Sequence, residues 1–290
     1  MTISKKFMSA FIVVALACGL SLGLVACSSG STEEKKEETT TTEVKEVEMK
    51  QEAVDVAKDE VGKSDVVFLD VRKADDYAAG HIIGAVNADM DKAKDGDNES
   101  GIANMKEAIE KNNLKDQKLV LACYSGKRYA QAATNILNAL GYDMSKVVTL
   151  EGGMKAWEAA GLPKATEVKD VEMKQEAVDT AKGEVGQSDV VFVDCRKADD
   201  FKAGHIEGAI NADMDKAKDG DTTDGLVNIS KAIQDNNLSD QKLVLVCYSG
   251  KRYAQAATNS LSALGYDMSK VVTLEGGMKA WDAAGYDKVQ

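Results

Sequence analysis

The sequence is poor in histidine, proline and cysteine, and each shortage excludes a class of protein. The 290 residues include two histidines, one proline and five cysteines. Two histidines cannot form a histidine-rich metal site, and five cysteines are too few for the disulfide framework of a small secreted domain. Acidic residues outnumber basic ones, and the formal net charge is −12. A nucleic-acid-binding protein, by contrast, normally has a basic patch or stripe. We therefore expect no nucleic-acid partner, no metal centre and no cofactor.

The rest of the composition is ordinary for a folded protein. Hydrophobic residues make up 44% of the chain and charged residues 29%, which excludes a wholly disordered or collagen-like chain. At roughly 100–200 residues for each domain, the length fits one large domain or two ordinary ones.

Residues 1–26 are predicted to be a secretion signal. Lys5 and Lys6 precede an apolar run that ends near Ala26, which is the order of charge and hydropathy in a signal peptide. The sequence around Cys27, Leu-Val-Ala-Cys-Ser, resembles the lipobox of bacterial lipoproteins. In a lipobox the cysteine receives a diacylglyceryl group and the signal is cut just before it. An uncleaved signal anchor is the alternative, because the apolar run is nearly long enough to span a bilayer.

The segment after Cys27 is predicted to be a tether. Residues 28–46 are rich in Ser, Thr, Glu and Lys and show no apolar periodicity, so they cannot bury enough apolar surface to offset the entropy of ordering. We therefore expect an extracytoplasmic protein held at the bacterial cell membrane by a lipid on Cys27.

The remainder of the chain is predicted to be a tandem duplication of one domain. Residues 47–161 realign on 171–285 without a gap, and about four positions in five are identical. A repeat of this length is too long for a solenoid unit of roughly 20–50 residues. The predicted organisation is a signal peptide at 1–26, a lipidated, disordered tether at 27–46, domains at 47–161 and 171–285, and a linker at 162–170.

Apolar runs alternate with helical patterns inside each copy. In the first copy, runs at 66–69, 118–122 and 147–150 predict buried strands, and 50–61, 104–112 and 128–140 are predicted helices. Continuous apolar runs indicate strands that are covered on both faces, as in a parallel sheet. Strands that alternate with helices predict an α/β domain with ligands at the carboxyl ends of its strands.

Each copy places a cysteine where a strand should end and a helix should begin. A thiol at that position meets free backbone N–H groups and the positive end of the helix dipole. A glycine in the loop allows the amides to turn inward around an anion, and two basic residues add positive charge. The alternative is an inert, buried cysteine at the end of a core strand. The loops are Cys123, Tyr124, Ser125, Gly126, Lys127, Arg128 and Cys247, Tyr248, Ser249, Gly250, Lys251, Arg252.

Four motifs in this order resemble rhodanese domains. They are Asp70-Val71-Arg72, the Gly-His-Ile-Ile-Gly-Ala-Val-Asn stretch at 80–87, the Cys123 loop, and Leu-Glu-Gly-Gly at 150–153 followed by Trp157. The resemblance covers nearly all of each copy. It implies a parallel five-stranded sheet flanked by helices, and a sulfurtransferase whose thiolate becomes a persulfide. The loop is shorter than that of the related phosphatases, which favours a sulfur-sized site.

The resemblance also suggests supporting residues beside the cysteine loops, and each of them has a structural alternative. Asp70 and its counterpart Asp194 could orient the loop arginine, line the pocket or cap a strand. Arg72 and Arg196 are predicted to be structural ion-pair partners rather than substrate ligands.

Two features depart from the two-domain rhodanese enzymes, so the chain is more similar to two single-domain rhodaneses joined together. Those enzymes usually keep the active cysteine in one half, whereas both copies have it here. They also carry a substrate-binding arginine where this chain has Asp76 and Asp200, which argues against anionic thiosulfate as the physiological donor. Cys195 replaces Val71 in the second copy, either as apolar filling or as a resolving cysteine for Cys247.

The sequence therefore predicts a lipid-anchored sulfurtransferase with two sites, Cys123 and Cys247. Its expected partners are a small sulfane-sulfur donor, a thiol or cyanide-like acceptor, and the membrane through its lipid. A non-catalytic binding or redox-sensing module on the same scaffold is the alternative. Thiol–disulfide or arsenate reduction is a further alternative, which would need a resolving thiol.

Overall fold

The computed structural model describes residues 42–290, so the predicted signal peptide and Cys27 lie outside the described residues. The two repeats each form an α/β domain built on a parallel five-stranded sheet. The predicted fold class is therefore confirmed.

Both sheets have the same strand order. The strands of the first copy are β1 (Gln51–Glu52), β2 (Val66–Asp70), β3 (Val86–Asn87), β4 (Lys118–Ala122) and β5 (Val147–Leu150). Those of the second copy are β6 (Gln175–Glu176), β7 (Val190–Asp194), β8 (Ile210–Asn211), β9 (Lys242–Val246) and β10 (Val271–Leu274). The orders across the sheets are β1-β5-β4-β2-β3 and β6-β10-β9-β7-β8. The strand that precedes each cysteine is therefore the central one.

Helices connect the strands and cover both faces of each sheet. The first copy has α1 (Val54–Ala57), α2 (Ala74–Ala79), α3 (Asn98–Lys111), α4 (Arg128–Ala139) and α5 (Gly153–Ala159). The second has α6 (Val178–Glu184), α7 (Ala198–Ala203), α8 (Thr222–Asp235), α9 (Arg252–Ala263) and α10 (Gly277–Ala283). Within residues 42–290, no helix combines the length and the apolar character needed to cross a bilayer.

Two predicted helices differ from the structure at their starts. The helix predicted at 50–61 is wrong there, because Gln51 lies opposite Thr149 and the edge strand β1 occupies its first residues. Helix α3 begins well before the predicted residue 104, because Asp97 caps it by accepting a hydrogen bond from the Ser100 N–H at 3.1 Å. A capping side chain satisfies a helix N–H that has no partner inside the helix.

Each sheet separates two apolar layers, which explains the continuous apolar runs. In the first copy, Leu119 and Leu121 of β4 pack with α3 and α4, and Val120 packs with α1 and α5 on the other face. Successive side chains of a strand point to opposite faces. The second copy has the same two layers.

The two copies are packed against each other. Ile83 of the first copy and Leu226 of the second belong to one buried apolar cluster, against which Val61 and Val227 also pack. The structure therefore contains a hydrophobic interface between the copies, a point that the sequence left open.

The predicted linker takes part in this packing. Ala165 pairs with His81 through two backbone hydrogen bonds of 3.0 and 2.9 Å, and the Thr166 N–H donates to the Ala263 carbonyl at 2.9 Å. Near the chain start, Val44 packs against the core of the first copy although it falls in the predicted tether. The packed part of the chain therefore begins before residue 47 and continues through the linker.

Candidate active site

The two cysteines lie at the carboxyl ends of the central strands. The Val71 N–H donates to the Ala122 carbonyl at 2.8 Å, so sheet pairing continues to the end of β4. Cys123 then faces the α3–α4 layer, with which its side chain packs. Cys123 and Cys247 are each 1% exposed. Both thiols are therefore almost entirely shielded from solvent.

The loop after each cysteine presents a run of unpartnered amides. No residue from 42 to 290 accepts a hydrogen bond from the backbone N–H groups of 124–128 or of 248–252. The runs end at the first residues of α4 and α9, helices of 12 residues each. Free N–H groups at a helix N-terminus favour an anion, because their dipoles add to that of the helix. This arrangement can stabilise a negatively charged sulfur.

A double glycine holds the cysteine loop in place. The Met154 N–H donates to the Cys123 carbonyl at 2.7 Å. Gly153 has φ +58°, and a Cβ on it would lie 2.2 Å from the Cys123 carbonyl oxygen. Gly126 has φ +68°, and a Cβ on it would lie 2.7 Å from the Leu150 carbonyl oxygen. The second copy has the same contacts, so the Gly-Gly motif supports the loop as well as starting α5 and α10.

Asp70 forms a buried ion pair with Arg72. The Arg72 Nη2 lies 2.6 Å from the Asp70 Oδ2, and it also donates to the Gly80 carbonyl at 2.8 Å. In the second copy, Arg196 and Asp194 form the same pair at 2.7 Å. These carboxylates therefore bind the arginine two residues further along their own strand end rather than the loop arginine. The ion pair ties the end of the strand to the turn that follows α2 or α7.

Three carboxylates contact the cysteine loop and the start of α4. Arg128 forms an ion pair with Asp95 at 2.6 Å, and its side chain is 71% exposed. Tyr124 and Tyr129 donate hydrogen bonds to carboxylates at 2.5 and 2.6 Å. We call these three carboxylates and their counterparts the acidic collar: Asp76, Asp91 and Asp95 in the first copy, and Asp200, Asp215 and Asp219 in the second.

Hydrogen bonds from tyrosines lower the pKa of one collar carboxylate in each copy. The hydrogen bond from Tyr129 is the main cause that lowers the pKa of Asp91, and the one from Tyr253 helps to lower the pKa of Asp215 to about 2. Burial, and then the hydrogen bond to Asp76, raise the pKa of Tyr124 to about 12. This phenol therefore keeps its proton and goes on donating to the carboxylate.

The remaining loop residues are solvent-facing. Ser125 and Lys127 are exposed, as are Ser249 and Lys251 in the second copy. Of the two basic residues predicted to supply positive charge, the arginine is compensated by the collar, and the lysine extends into solvent. Among residues 42–290, His, Cys, Asp and Glu side chains form no cluster of three that could hold a metal ion.

The second copy brings another thiol to its site. Cys195 is fully buried and belongs to the same apolar cluster as Cys247. Both are free thiols. Burial is the main cause that raises the pKa of the Cys195 thiol well above its usual range, and the charge of Cys247 adds to it. The corresponding residue of the first copy is Val71.

Sequence reasoning missed the role of the collar. No motif in the sequence singles out the 91–97 stretch, although Asp91 and Asp95 each bind a residue of α4. At Asp76 the sequence shows only that the substrate-binding arginine of the two-domain enzymes is absent. The contact of Asp76 with Tyr124 could not be predicted. No local pattern marks these contacts, because they join segments 33 to 48 residues apart in the chain.

Comparison with known proteins gives the same assignment for both copies. Residues 53–160 and 177–284 match the family model for the rhodanese-like domain. Thiosulfate sulfurtransferase GlpE of Pseudoalteromonas translucida is 34% identical over 104 residues, which are 36% of this chain and 84% of that protein. Chloroplastic thiosulfate sulfurtransferase 16 of Arabidopsis thaliana is 29% identical over 97 residues, covering 33% and 77%.

A solved structure of thiosulfate sulfurtransferase from Pseudomonas aeruginosa is also similar. The alignment has 17% identity and a TM-score of 0.34, and it covers 83% of this chain and 44% of the other. This chain therefore corresponds to less than half of that protein.

Proposed function

Because the chain belongs to the rhodanese-like domain family, we propose that it is a sulfurtransferase with two cysteine sites, Cys123 and Cys247. The observation that carries the proposal is the run of unpartnered amides beside each thiol, at the junction of a central strand and a helix. The similarity to thiosulfate sulfurtransferases supports the same class of reaction.

The proposed reaction has two sulfur-transfer steps. The cysteine thiolate attacks the sulfane sulfur of a donor, a new S–S bond forms, and the rest of the donor leaves with the electron pair of the broken bond. With thiosulfate as donor, sulfite leaves and the cysteine becomes a persulfide anion. A thiol or cyanide then attacks the outer sulfur and restores the thiolate. The loop amides would stabilise the persulfide anion, since a hydrogen bond to a charged group contributes about 1.5–3 kcal/mol.

The acidic collar bears on which donor the sites prefer. Asp76 lies where the two-domain enzymes have a substrate-binding arginine, whereas Asp91 and Asp95 form ion pairs with Lys73, Lys94 and Arg128. Repulsion between the Asp76 carboxylate and an anionic donor weakens the binding of that donor. We therefore propose a donor with less negative charge than thiosulfate, such as a persulfide of a small thiol.

Mass spectrometry of the purified full-length protein tests the proposal. After incubation with thiosulfate or a small-thiol persulfide, trypsin releases residues 119–127 and 243–251, which differ in mass because Ala122 is replaced by Val246. We expect a donor-dependent extra sulfur on the protein and thiocyanate on addition of cyanide. The double variant Cys123→Ser, Cys247→Ser should lose both signals and keep its melting temperature. The transferase proposal fails if neither loop gains sulfur from any sulfane donor.

The burial of both thiols favours one alternative, a non-catalytic binding module. Cys123 and Cys247 are 1% exposed and pack with apolar side chains, as inert structural cysteines do. The same experiment separates the two functions, because a binding module would bind its ligand without gaining sulfur or forming thiocyanate.

We further propose that the protein is lipid-anchored outside the cytoplasm. The support is the sequence pattern up to Cys27, and two or more acyl chains anchor a protein durably whereas one alone is marginal. In a bacterial host, Cys27→Ala should abolish labelling by a fatty acid. If the wild-type protein itself takes up no fatty acid and keeps residues 1–26 in the membrane fraction, the segment is a signal anchor instead.

A further inference from the structure

In the second copy, Cys195 lies directly opposite Cys247 in the sheet. Strands β7 and β9 are parallel, and their last paired residues are Asp194 and Val246. The Cys195 N–H then donates to the Val246 carbonyl at 2.7 Å. In a parallel ladder, a residue whose N–H binds one carbonyl lies opposite the next residue of that strand. The pairing therefore extends by one position and places the two cysteines side by side.

This geometry suits a disulfide bond. Adjacent strands are about 4.8 Å apart, and the Cα atoms of disulfide-bonded cysteines are usually separated by roughly 4.4–6.8 Å. Opposite residues of a parallel pair point to the same face, and both side chains belong to the same apolar cluster. Cys195 is 0% exposed and Cys247 is 1% exposed, so both thiols are shielded from dissolved reagents while they lie next to each other.

The first copy lacks this pair. The Val71 N–H binds the Ala122 carbonyl in the same way, so Val71 occupies the position opposite Cys123. The loops themselves have the same six residues, and the ion pairs and collars correspond. The two sites therefore differ in whether the cysteine has a neighbouring thiol.

We propose that Cys195 is a resolving cysteine that discharges a persulfide on Cys247 as sulfide. This step rests on the proposed transferase function. The Cys195 sulfur attacks the inner sulfur of the Cys247 persulfide, and a disulfide forms as the bond to the outer sulfur breaks. The outer sulfur leaves with the electron pair as sulfide and takes the Cys195 proton. The two cysteine sulfurs are oxidised, the sulfane sulfur is reduced, and an external dithiol resets the pair.

The consequence is a division of labour between the copies. Cys123, beside Val71, holds its persulfide until an external acceptor arrives. Cys247, beside Cys195, reduces sulfane sulfur to sulfide. The two electrons come from the cysteine pair, which is oxidised to a disulfide. The chain would therefore combine a sulfur transferase with a sulfane-sulfur reductase.

The test follows both loops of the full-length protein after a sulfane donor is added without free thiol. We expect the 119–127 peptide to carry an extra sulfur. We expect the 243–251 peptide to be linked by a disulfide to 183–196, the tryptic peptide that contains Cys195, with loss of its persulfide form and release of sulfide.

Two reciprocal substitutions provide matched controls, because each introduces the residue that the other copy already has. Cys195→Val should convert the Cys247 product from the disulfide to the persulfide and end sulfide release. Val71→Cys should convert the Cys123 product from the persulfide to a disulfide.

Two outcomes would overturn the inference, and they are distinguishable from failure of the proposed function. A wild-type protein in which Cys247 keeps its persulfide while Cys195 stays a free thiol refutes the resolving role alone. If neither loop takes up sulfur, the transferase function fails and the discharge step fails with it. Hydrogen peroxide then tests the pair separately, since two thiols and one peroxide give a disulfide and two waters; absence of a Cys195–Cys247 link refutes the pairing as well.

Discussion

At the scale of single residues, the proposed donor preference depends mainly on Asp76. Its carboxylate accepts the hydrogen bond of Tyr124, the residue that follows Cys123. In a Cys247→Ser background, which isolates the first site, we expect Asp76→Arg to raise kcat/KM for thiosulfate by about ten-fold, or about 1.4 kcal/mol. The reason is that the substitution replaces repulsion of the anion by attraction. Thiocyanate formation in the presence of cyanide measures the change.

Asp75 offers a matched control for that prediction. It is the exposed neighbour of Asp76 on α2, so Asp75→Arg makes the same change in net charge away from the Tyr124 contact. Asp76→Asn removes the charge and keeps an acceptor for Tyr124, so it should give a smaller gain than the arginine. Equal effects of Asp75→Arg and Asp76→Arg would mean that general charge, and not the collar, governs the use of thiosulfate.

At the scale of elements, the contact between α5 and the cysteine loop can be tested through Gly153. Alanine there would need φ +58° and would bring a Cβ to 2.2 Å from the Cys123 carbonyl oxygen. We expect Gly153→Ala to destabilise the first copy by at least about 3 kcal/mol, because left-handed strain and overpacking add. Sulfur uptake at Cys123 should fall while uptake at Cys247 persists. Urea unfolding and the two loop peptides give the two measurements.

The variant Gly161→Ala separates the effect of left-handed backbone strain from the effect of a close contact. It also has a left-handed conformation, φ +67°, but nothing lies within 4 Å of its added Cβ. Gly161→Ala should therefore cost only about 1–2 kcal/mol and leave sulfur uptake at both loops intact. If the two alanine variants lose the same stability and Cys123 still gains sulfur, the close contact with the loop is unimportant.

The elements also show how far the sequence alone can predict this fold. Central strands such as β4 were predictable, because strands buried on both faces appear as continuous apolar runs. The short edge strand β1 was mistaken for the start of a helix, since only its pairing with β5 defines it. In the site, the cysteine loops could be located from local spacing. The collar and the Cys195–Cys247 pairing could not, because they depend on contacts between distant segments.

At the scale of the whole molecule, differences between the copies mark the surface where they meet. Ile83 and Val227 belong to the interface cluster, and their counterparts in the other copy are Glu207 and Ala103, both exposed. The two copies contact each other through different surfaces, because the interface residues of one copy are not equivalent to those of the other. Each of these surfaces therefore needs apolar residues in one copy only. These asymmetric positions were visible in the sequence alignment of the two copies, although their meaning required the structure.

The interface can be disrupted without touching either cysteine site. Val227 lies against Gly62 of the first copy, where a Cβ on the glycine would be 2.9 Å from the valine Cγ2. We expect Val227→Asp to weaken the packing of the copies by about 1–3 kcal/mol, because a polar carboxylate replaces an apolar side chain that is partly buried between them. Calorimetry should then resolve two unfolding transitions, and protease should cut within 162–170 sooner than in the parent protein.

Ala103→Asp is the matched control, since it introduces the same side chain at the equivalent exposed position of the first copy. It should leave the thermal transition and the rate of cleavage unchanged. Sulfur uptake at both loops should survive in both variants, because each site is built from residues of its own copy. Identical melting behaviour of the two aspartate variants would contradict a stabilising interface, and loss of uptake in Val227→Asp alone would show that each site depends on the neighbouring copy.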